Sequence, residues 1–194
     1  DGDAEVAAAY LGDPPEPGQR ALRGASVCRE ENRVRAARRA RATVRRRVMW
    51  FGADRLLTLT YRENMRDVKQ GWLDFQRFVR SMRKVFGRWP YVAVMEFQAR
   101  GAVHFHVAQK GHIDVRIVRK LWRRVVGEGN IDITTPRRVK HDQKCPRVRI
   151  AGYLTKYMAK SFDYVPLETN RYRTSKGITL LDCRCQPTYL ASER

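Results

Sequence analysis

Residues 96–107 read Glu96-Phe97-Gln98-Ala99-Arg100-Gly101-Ala102-Val103-His104-Phe105-His106-Val107. Two short apolar segments, Tyr91 to Phe97 and Ala102 to Ala108, flank Ala99-Arg100-Gly101, and a short Gly-containing connection between such segments marks a β-hairpin. Successive side chains of a strand point to opposite faces. Val103, Phe105 and Val107 therefore turn to the core, while His104 and His106 project together from the other face. With the turn centred on Arg100, Glu96 stands directly opposite His104, and facing residues hold their Cβ atoms roughly 5 Å apart. Two imidazoles and a carboxylate brought together in this way suit a divalent metal, Mn²⁺, or Mg²⁺ assisted by a substrate phosphate. A lone His-x-His reads as two histidines alternating on a solvent face. Here the same hairpin supplies the carboxylate, in a chain with only 4 His. Gln98 shares the face and is a candidate to bond a ligand or nucleic acid; His112 and His141 fall in expected loops and carry no assignment.

Working outward, Leu56 to Tyr61 is short, apolar and β-branched, which predicts a strand. Trp72, Phe75, Val79, Met82 and Phe86 are spaced by three and four, the stripe of an amphipathic helix that Gly87 and Pro90 end. Beyond the hairpin, Val115 to Val126 predicts a second helix with Val118, Leu121, Trp122 and Val125 inward. Ile131 to Thr134 alternates as a strand, and residues 136–149 are basic and irregular, expected as a loop. Ile150 to Ser161 predicts a helix, and Thr179 to Leu181 a last short strand. The order β-α-β-β-α-β-α gives the expected class: α+β, with a ferredoxin-like (RRM-like) antiparallel sheet and flanking helices.

The chain has 194 residues, with 40 Lys and Arg against 20 Asp and Glu, a net charge of +20. So basic a surface attracts polyanions by counterion release, and Arg forks onto phosphate oxygens, so nucleic acid is the expected partner. Residues 1–19 hold five acids and no base and read as an acidic disordered tail. Residues 20–47 hold eleven Arg with two acids and predict a basic helix from about Glu30 to Arg47. Arg38, Arg39, Arg41, Arg45, Arg46 and Arg47, with Arg137, Arg138 and Lys140 of the basic loop, are the expected backbone contacts. A main domain is expected over residues 48–185, followed by a tail, 186–194. No apolar run approaches the roughly 20 residues that span a bilayer, and no signal-peptide core stands near the start. The expectation is a cytoplasmic protein with no membrane partner. Cys28, Cys145, Cys183 and Cys185 form no disulfide framework.

Residues 150–161 read Ile150-Ala151-Gly152-Tyr153-Leu154-Thr155-Lys156-Tyr157-Met158-Ala159-Lys160-Ser161. Tyr153 and Tyr157 are four apart and share one helix face. Lys156 and Lys160 each follow a tyrosine by three, and neighbouring ammonium groups favour a phenolate and can hold a phosphate. Ile150, Leu154 and Met158 supply the buried side. Taken alone, this is also what ordinary amphipathic packing looks like.

Together the segments resemble the HUH (His-hydrophobic-His) endonucleases, and more closely the two-tyrosine rolling-circle replication initiators of single-stranded-DNA phages and plasmids. Three motifs stand in the family's order: the strand Leu56-Leu57-Thr58-Leu59-Thr60-Tyr61, the metal motif His104-Phe105-His106 with Glu96 as third ligand, and Tyr153-x-x-Lys156-Tyr157. Tyr172-Arg173-x-Ser175-x-Gly177-Ile178 is similar to a stretch near the domain end in filamentous-phage relatives. The resemblance covers roughly residues 30–180. Relaxases place the tyrosine before the histidines, so the order here argues against them.

The resemblance implies metal-dependent, site-specific nicking and rejoining of single-stranded DNA at a replication origin, in a bacterial host. Glu96, His104 and His106 would be the metal ligands. Tyr153 and Tyr157 would form 5′-phosphotyrosine bonds, with Lys156 and Lys160 beside the phosphate. A host polymerase and helicase would act on the product. Two other readings stay open. A two-tyrosine transposase keeps the same motif order. A non-catalytic nucleic-acid binder on a similar sheet would expose aromatics on its strands and need no metal. A structural zinc module using His and Cys, for which Cys183-x-Cys185 is the only hint, is the weaker third.

Overall fold

The computed structural model describes residues 29–135, 145–161 and 171–178. The expected acidic tail, residues 20–28, Arg137, Arg138, Lys140, His141, the strand at Thr179 to Leu181, the tail 186–194, Cys28, Cys183 and Cys185 lie outside the described residues, as does the side chain of Lys160. The chain divides into two units, 1–35 and 36–194, the first described only over residues 29–35. Among the described residues, four helices and five strands follow in the order α1 (Arg29–Phe51), β1 (Arg55–Tyr61), α2 (Val68–Phe86), β2 (Tyr91–Phe97), β3 (Val103–Gln109), α3 (Val115–Val126), β4 (Gly129–Thr134), α4 (Pro146–Ser161) and β5 (Tyr172–Thr174).

The strands form one antiparallel sheet ordered β4-β1-β3-β2-β5. The β1-α2-β2 and β3-α3-β4 units each straddle a neighbouring strand, the split arrangement expected from the element order. The hairpin pairs Glu96 with His104 and Phe97 with Val103, the register expected from a turn at Arg100. Its loop closes through Gln98 N–H to Ala102 O at 2.9 Å and Gly101 N–H to Gln98 O at 2.8 Å. Gly101 has φ 84°, a conformation that L side chains rarely adopt.

The apolar side chains of the strands alternate between two cores. Leu57, Leu59, Ala93, Met95, Val103, Phe105 and Val107 pack with Trp72, Phe75 and Phe78 of α2 and with Val118, Leu121 and Trp122 of α3. Phe75 stacks on Phe105 with centroids 5.0 Å apart, and Phe78 meets Trp122 edge-on at 5.6 Å. On the opposite face Leu56, Val92, Val94 and Ala108 pack with Val44 and Val48 of α1 and with Ile150, Leu154 and Met158 of α4. The sheet is thus the middle of three layers. No helix among the described residues is long and apolar enough to cross a membrane.

Each helix of the first core is capped at both ends. Asp67 accepts from Lys69 N–H (2.8 Å) and Gln70 N–H (3.1 Å) ahead of α2, and Asp114 from Arg116 N–H (2.7 Å) ahead of α3. Gly87 and Gly127 close them with positive φ.

Three sequence expectations need correcting. Residues 146–149, expected in a loop, open α4, because Pro146 fits the first helical position, where no backbone donor is needed. The basic helix starts at Arg29 and continues past Arg47 to Phe51, since Val44 and Val48 anchor its last turns to the second core. Tyr172 to Thr174, read only as a terminal motif, forms edge strand β5 beside β2; three residues carry too little alternation to show as a strand.

Gly129 begins β4 where backbone and indole crowd together. Trp122 Nε1 donates to Thr60 O at 3.0 Å, and a Cβ at Gly129 would lie 2.7 Å from both atoms. Gly129→Ala should therefore destabilise the protein by about 1–3 kcal/mol, read as a lower urea midpoint. An unchanged midpoint would show that β4 moves aside at no cost.

Candidate active site

The polar face of the hairpin is not open to water. Glu96, His104 and His106 are all buried, because α4 lies over β2 and β3 on that side. Tyr157 stacks on His106 with ring centroids 3.9 Å apart and planes at 19°. Tyr153 stands edge-on to the same imidazole at 6.1 Å. The Tyr157 hydroxyl donates to the Tyr153 hydroxyl at 2.6 Å, and Tyr153 is 44% exposed. The fold therefore brings together the two motifs that the sequence left 47 residues apart, His106 and Tyr153.

Within the acid–imidazole cluster the register and the side chains differ. Glu96 faces His104 in the ladder, yet its Oε2 lies 2.6 Å from Nε2 of His106, the diagonal neighbour. The two imidazole centroids are 6.4 Å apart. Nε2 of His104 is buried without a hydrogen-bond partner in this arrangement. Burial above all, with the nearby His106, holds the His104 ring down to about 4, in the neutral form a metal ligand needs.

Among the described residues, no three His, Cys, Asp or Glu side chains gather around one point as a ready metal cluster. The donors still suit one: an orphaned buried imidazole nitrogen sits beside a second imidazole and a carboxylate. For both rings and Glu96 to serve one ion, the Glu96–His106 hydrogen bond has to open.

Thr58 is a residue that sequence reading missed. It pairs with His106 across β1 and β3, and its Oγ1 lies 3.3 Å from Nδ1 of that ring. A hydroxyl can donate or accept, so Thr58 can hold either tautomer of His106 in place. Nothing in the local pattern of β1 marks it, because only strand pairing puts it beside His106.

Of the other expected site residues, Lys156 is exposed on α4. Burial first, then the hydrogen bond to Tyr153, pushes the Tyr157 phenol above its ordinary value. Arg38, Arg39, Arg41, Arg45 and Arg46 are exposed along α1. Arg47 is half-buried and donates to Thr174 Oγ1, so it ties α1 to β5. Gln98 accepts from Arg100 Nε at 3.0 Å within the hairpin loop.

The pH dependence follows from His104. Its folded value, about 4, lies below the ordinary 6.5, so between these pH values the unfolded chain binds a proton that the folded chain does not. Stability should rise from pH 4 to 6.5 and level off above. His104→Gln should flatten that rise, measured by urea unfolding across the range. An equally steep rise in the variant would place its source elsewhere.

Residues 54–162, over half of the chain, match the model of the family described as replication-associated protein ORF2/G2P, a span that runs from just before β1 to the end of α4. No curated protein and no solved structure matches. The chain, with its hairpin and tyrosine helix inside the matched span, belongs to the replication-associated protein ORF2/G2P family.

Proposed function

We propose that the protein is an HUH-type endonuclease that nicks and rejoins single-stranded DNA at a replication origin, starting and ending rolling-circle replication of a phage or plasmid. The observation that carries this reading is the stacking of Tyr157 on His106 with Tyr153 hydrogen-bonded beside it. A nucleophile-bearing helix laid on an acid–imidazole cluster is what phosphoryl transfer to tyrosine needs. The alternative of a non-catalytic binder expects exposed aromatics on the strands. Among the described residues Tyr61, Tyr91 and Phe105 are instead buried, Phe97 and Tyr172 are half-buried, and the exposed tyrosine, Tyr153, is on α4.

Glu96, His104 and His106 would hold the divalent ion, Mn²⁺ or Mg²⁺. Bound there, it supplies Lewis-acid polarisation of the scissile phosphate. The protein's own groups do the rest. Tyr153, exposed and accepting the Tyr157 hydrogen bond, presents its oxygen to the strand. Its phenolic oxygen bonds to phosphorus as the P–O3′ bond breaks, and the 3′-oxygen leaves with the phenolic proton. The 5′-phosphotyrosine keeps the phosphodiester energy, so rejoining needs no nucleotide cofactor. The freed 3′-hydroxyl serves a host polymerase, with a host helicase opening the duplex in the bacterial cytoplasm. Tyr157, one turn on, is the second nucleophile that attacks the regenerated origin. Lys156 and Lys160 neutralise the phosphate, and the arginines of α1 guide the strand together with Gln98 and the basic loop of Arg137, Arg138 and Lys140.

The test is incubation with a labelled single-stranded origin library and Mn²⁺, followed by peptide mapping of the covalent adduct. The wild type should carry DNA on Tyr153 or Tyr157, and the double Phe variant should carry none. Tyr153→Phe should slow first cleavage at least about tenfold, whereas Tyr157→Phe should cleave once and fail to cycle. His106→Ala should lose cleavage and keep most DNA affinity, because binding is mainly electrostatic. Adducts on neither tyrosine, or full cleavage in excess chelator, would reject the mechanism.

A further inference from the structure

The layer formed by α2 and α3 lies on the far side of the sheet from His106 and the tyrosines. Its inner surface is fully used: Trp72, Phe75, Phe78 and Trp122 are all buried against the strands. Among the described residues, its outer surface is basic and almost uncompensated. Arg80, Arg83 and Lys84 on α2 and Arg116, Lys120 and Arg124 on α3 are exposed. The one acid within the two helices, Asp74, is buried and engaged by Tyr61, Gln70 and Arg77. The flanking Asp67 and Asp114 are occupied in capping backbone N–H groups.

Such a surface has a cost. Arg80 and Lys84, Arg116 and Lys120, and Lys120 and Arg124 are like-charge pairs one turn apart, each unfavourable by about 0.2–0.5 kcal/mol. A merely solvated helix face mixes signs and gains from doing so. A polyanion laid across the layer would turn the repulsion into binding.

We propose that the outer face of α2 and α3 is a second DNA-binding surface, one that takes the phosphate backbone of double-stranded DNA without regard to sequence. Duplex is favoured over single strand because the face has no stacking platform. The aromatics Trp72, Phe75, Phe78 and Trp122 are buried, Phe86 is partly buried against the same core, and the exposed apolar residues Leu73, Val85, Val115 and Ile117 are aliphatic. Single-strand binding relies on base–aromatic stacking, whereas a duplex shields its bases and offers phosphates. An anionic membrane is disfavoured, because surface helices insert an apolar face and here that face is committed to the core. Binding on opposite sides of the sheet would let the protein hold flanking duplex while the strand to be cut meets the tyrosines of α4. This goes beyond the nicking reading and stands or falls separately.

The experiment combines Arg80→Gln, Arg83→Gln, Lys84→Gln, Arg116→Gln, Lys120→Gln and Arg124→Gln in the full chain. A random duplex of about 30 base pairs, long enough to span the layer, is titrated without divalent metal over a range of salt. The variant should lose at least about tenfold in duplex affinity at low salt. Its slope of log affinity against log salt should flatten by two or more, since each phosphate contact contributes about 0.9. Cleavage of a short single-stranded origin oligonucleotide should stay at the wild-type rate, which also shows that the variant folds. Equal duplex affinity and slope in both proteins would overturn the proposal. So would loss of binding to phosphatidylserine vesicles with duplex binding intact. A wild type that binds duplex through this face but never nicks would remove the proposed function and leave this inference standing. Should the sixfold variant fail to fold, the two triple variants, one per helix, are each expected to lose part of the slope, and no loss in either overturns the proposal.

Discussion

The alternation of side chains along β3 is the constraint on which everything else rests. A strand buried on both faces has to satisfy two environments at once. Val103, Phe105 and Val107 meet the aromatic core under α2 and α3, while His104, His106 and Ala108 are buried on the other face, His106 against the tyrosines of α4. A slip of one residue would drive both imidazoles into Phe75 and Trp122 and push Phe105 onto the tyrosines. The size of the first core, with Phe75, Phe78, Phe105 and Trp122 in mutual contact, makes that slip prohibitive. Hydrophobic packing on one side of the sheet thereby sets the chemistry on the other.

The second face shows what that security permits. Three ionisable groups are buried within one hairpin, an arrangement that costs stability unless each is partnered. Glu96 and His106 partner each other, Thr58 attends the far nitrogen of His106, and Tyr157 covers the ring. His104 Nε2 stays without a protein partner. A buried donor atom left unsatisfied in an otherwise well-partnered cluster is a recurrent sign that a group from outside completes the set. The position of α4 matters as much as the hairpin cluster, since Leu154 and Met158 in the second core hold the tyrosine face down on His106.

Charge is distributed to a different logic. Arg38 to Arg46 lie on the part of α1 whose Val44 and Val48 pack on the tyrosine side of the sheet, and the bases of α2 and α3 cover the other. Among the described residues, the carboxylates within these helices or capping their starts are buried or committed to caps. An excess of +20 over 194 residues is therefore not a uniform coat around one groove.

Much of this was legible in the chain itself, because it is local. The two-residue period of Val103 to Val107 set which residues share a face. The Gly-containing turn set Glu96 opposite His104, and the four-residue spacing of Tyr153 and Tyr157 set them on one helix face. The stripes of α2 and α3 named most of their buried residues from spacing, but missed Phe78, which is buried, and included Phe86 and Val125, which are only partly buried. What the chain could not show is whatever depends on elements far apart in sequence. Strand pairing put Thr58 beside His106, side-chain rotation turned Glu96 to its diagonal neighbour, and β5 found its place by adding to an edge. Above all, only packing decided that α4 lies over the polar face of the hairpin with Tyr157 against His106. Periodicity tells a helix which of its sides is apolar; the free energy of burial, summed over both cores, decides which surface that side will cover.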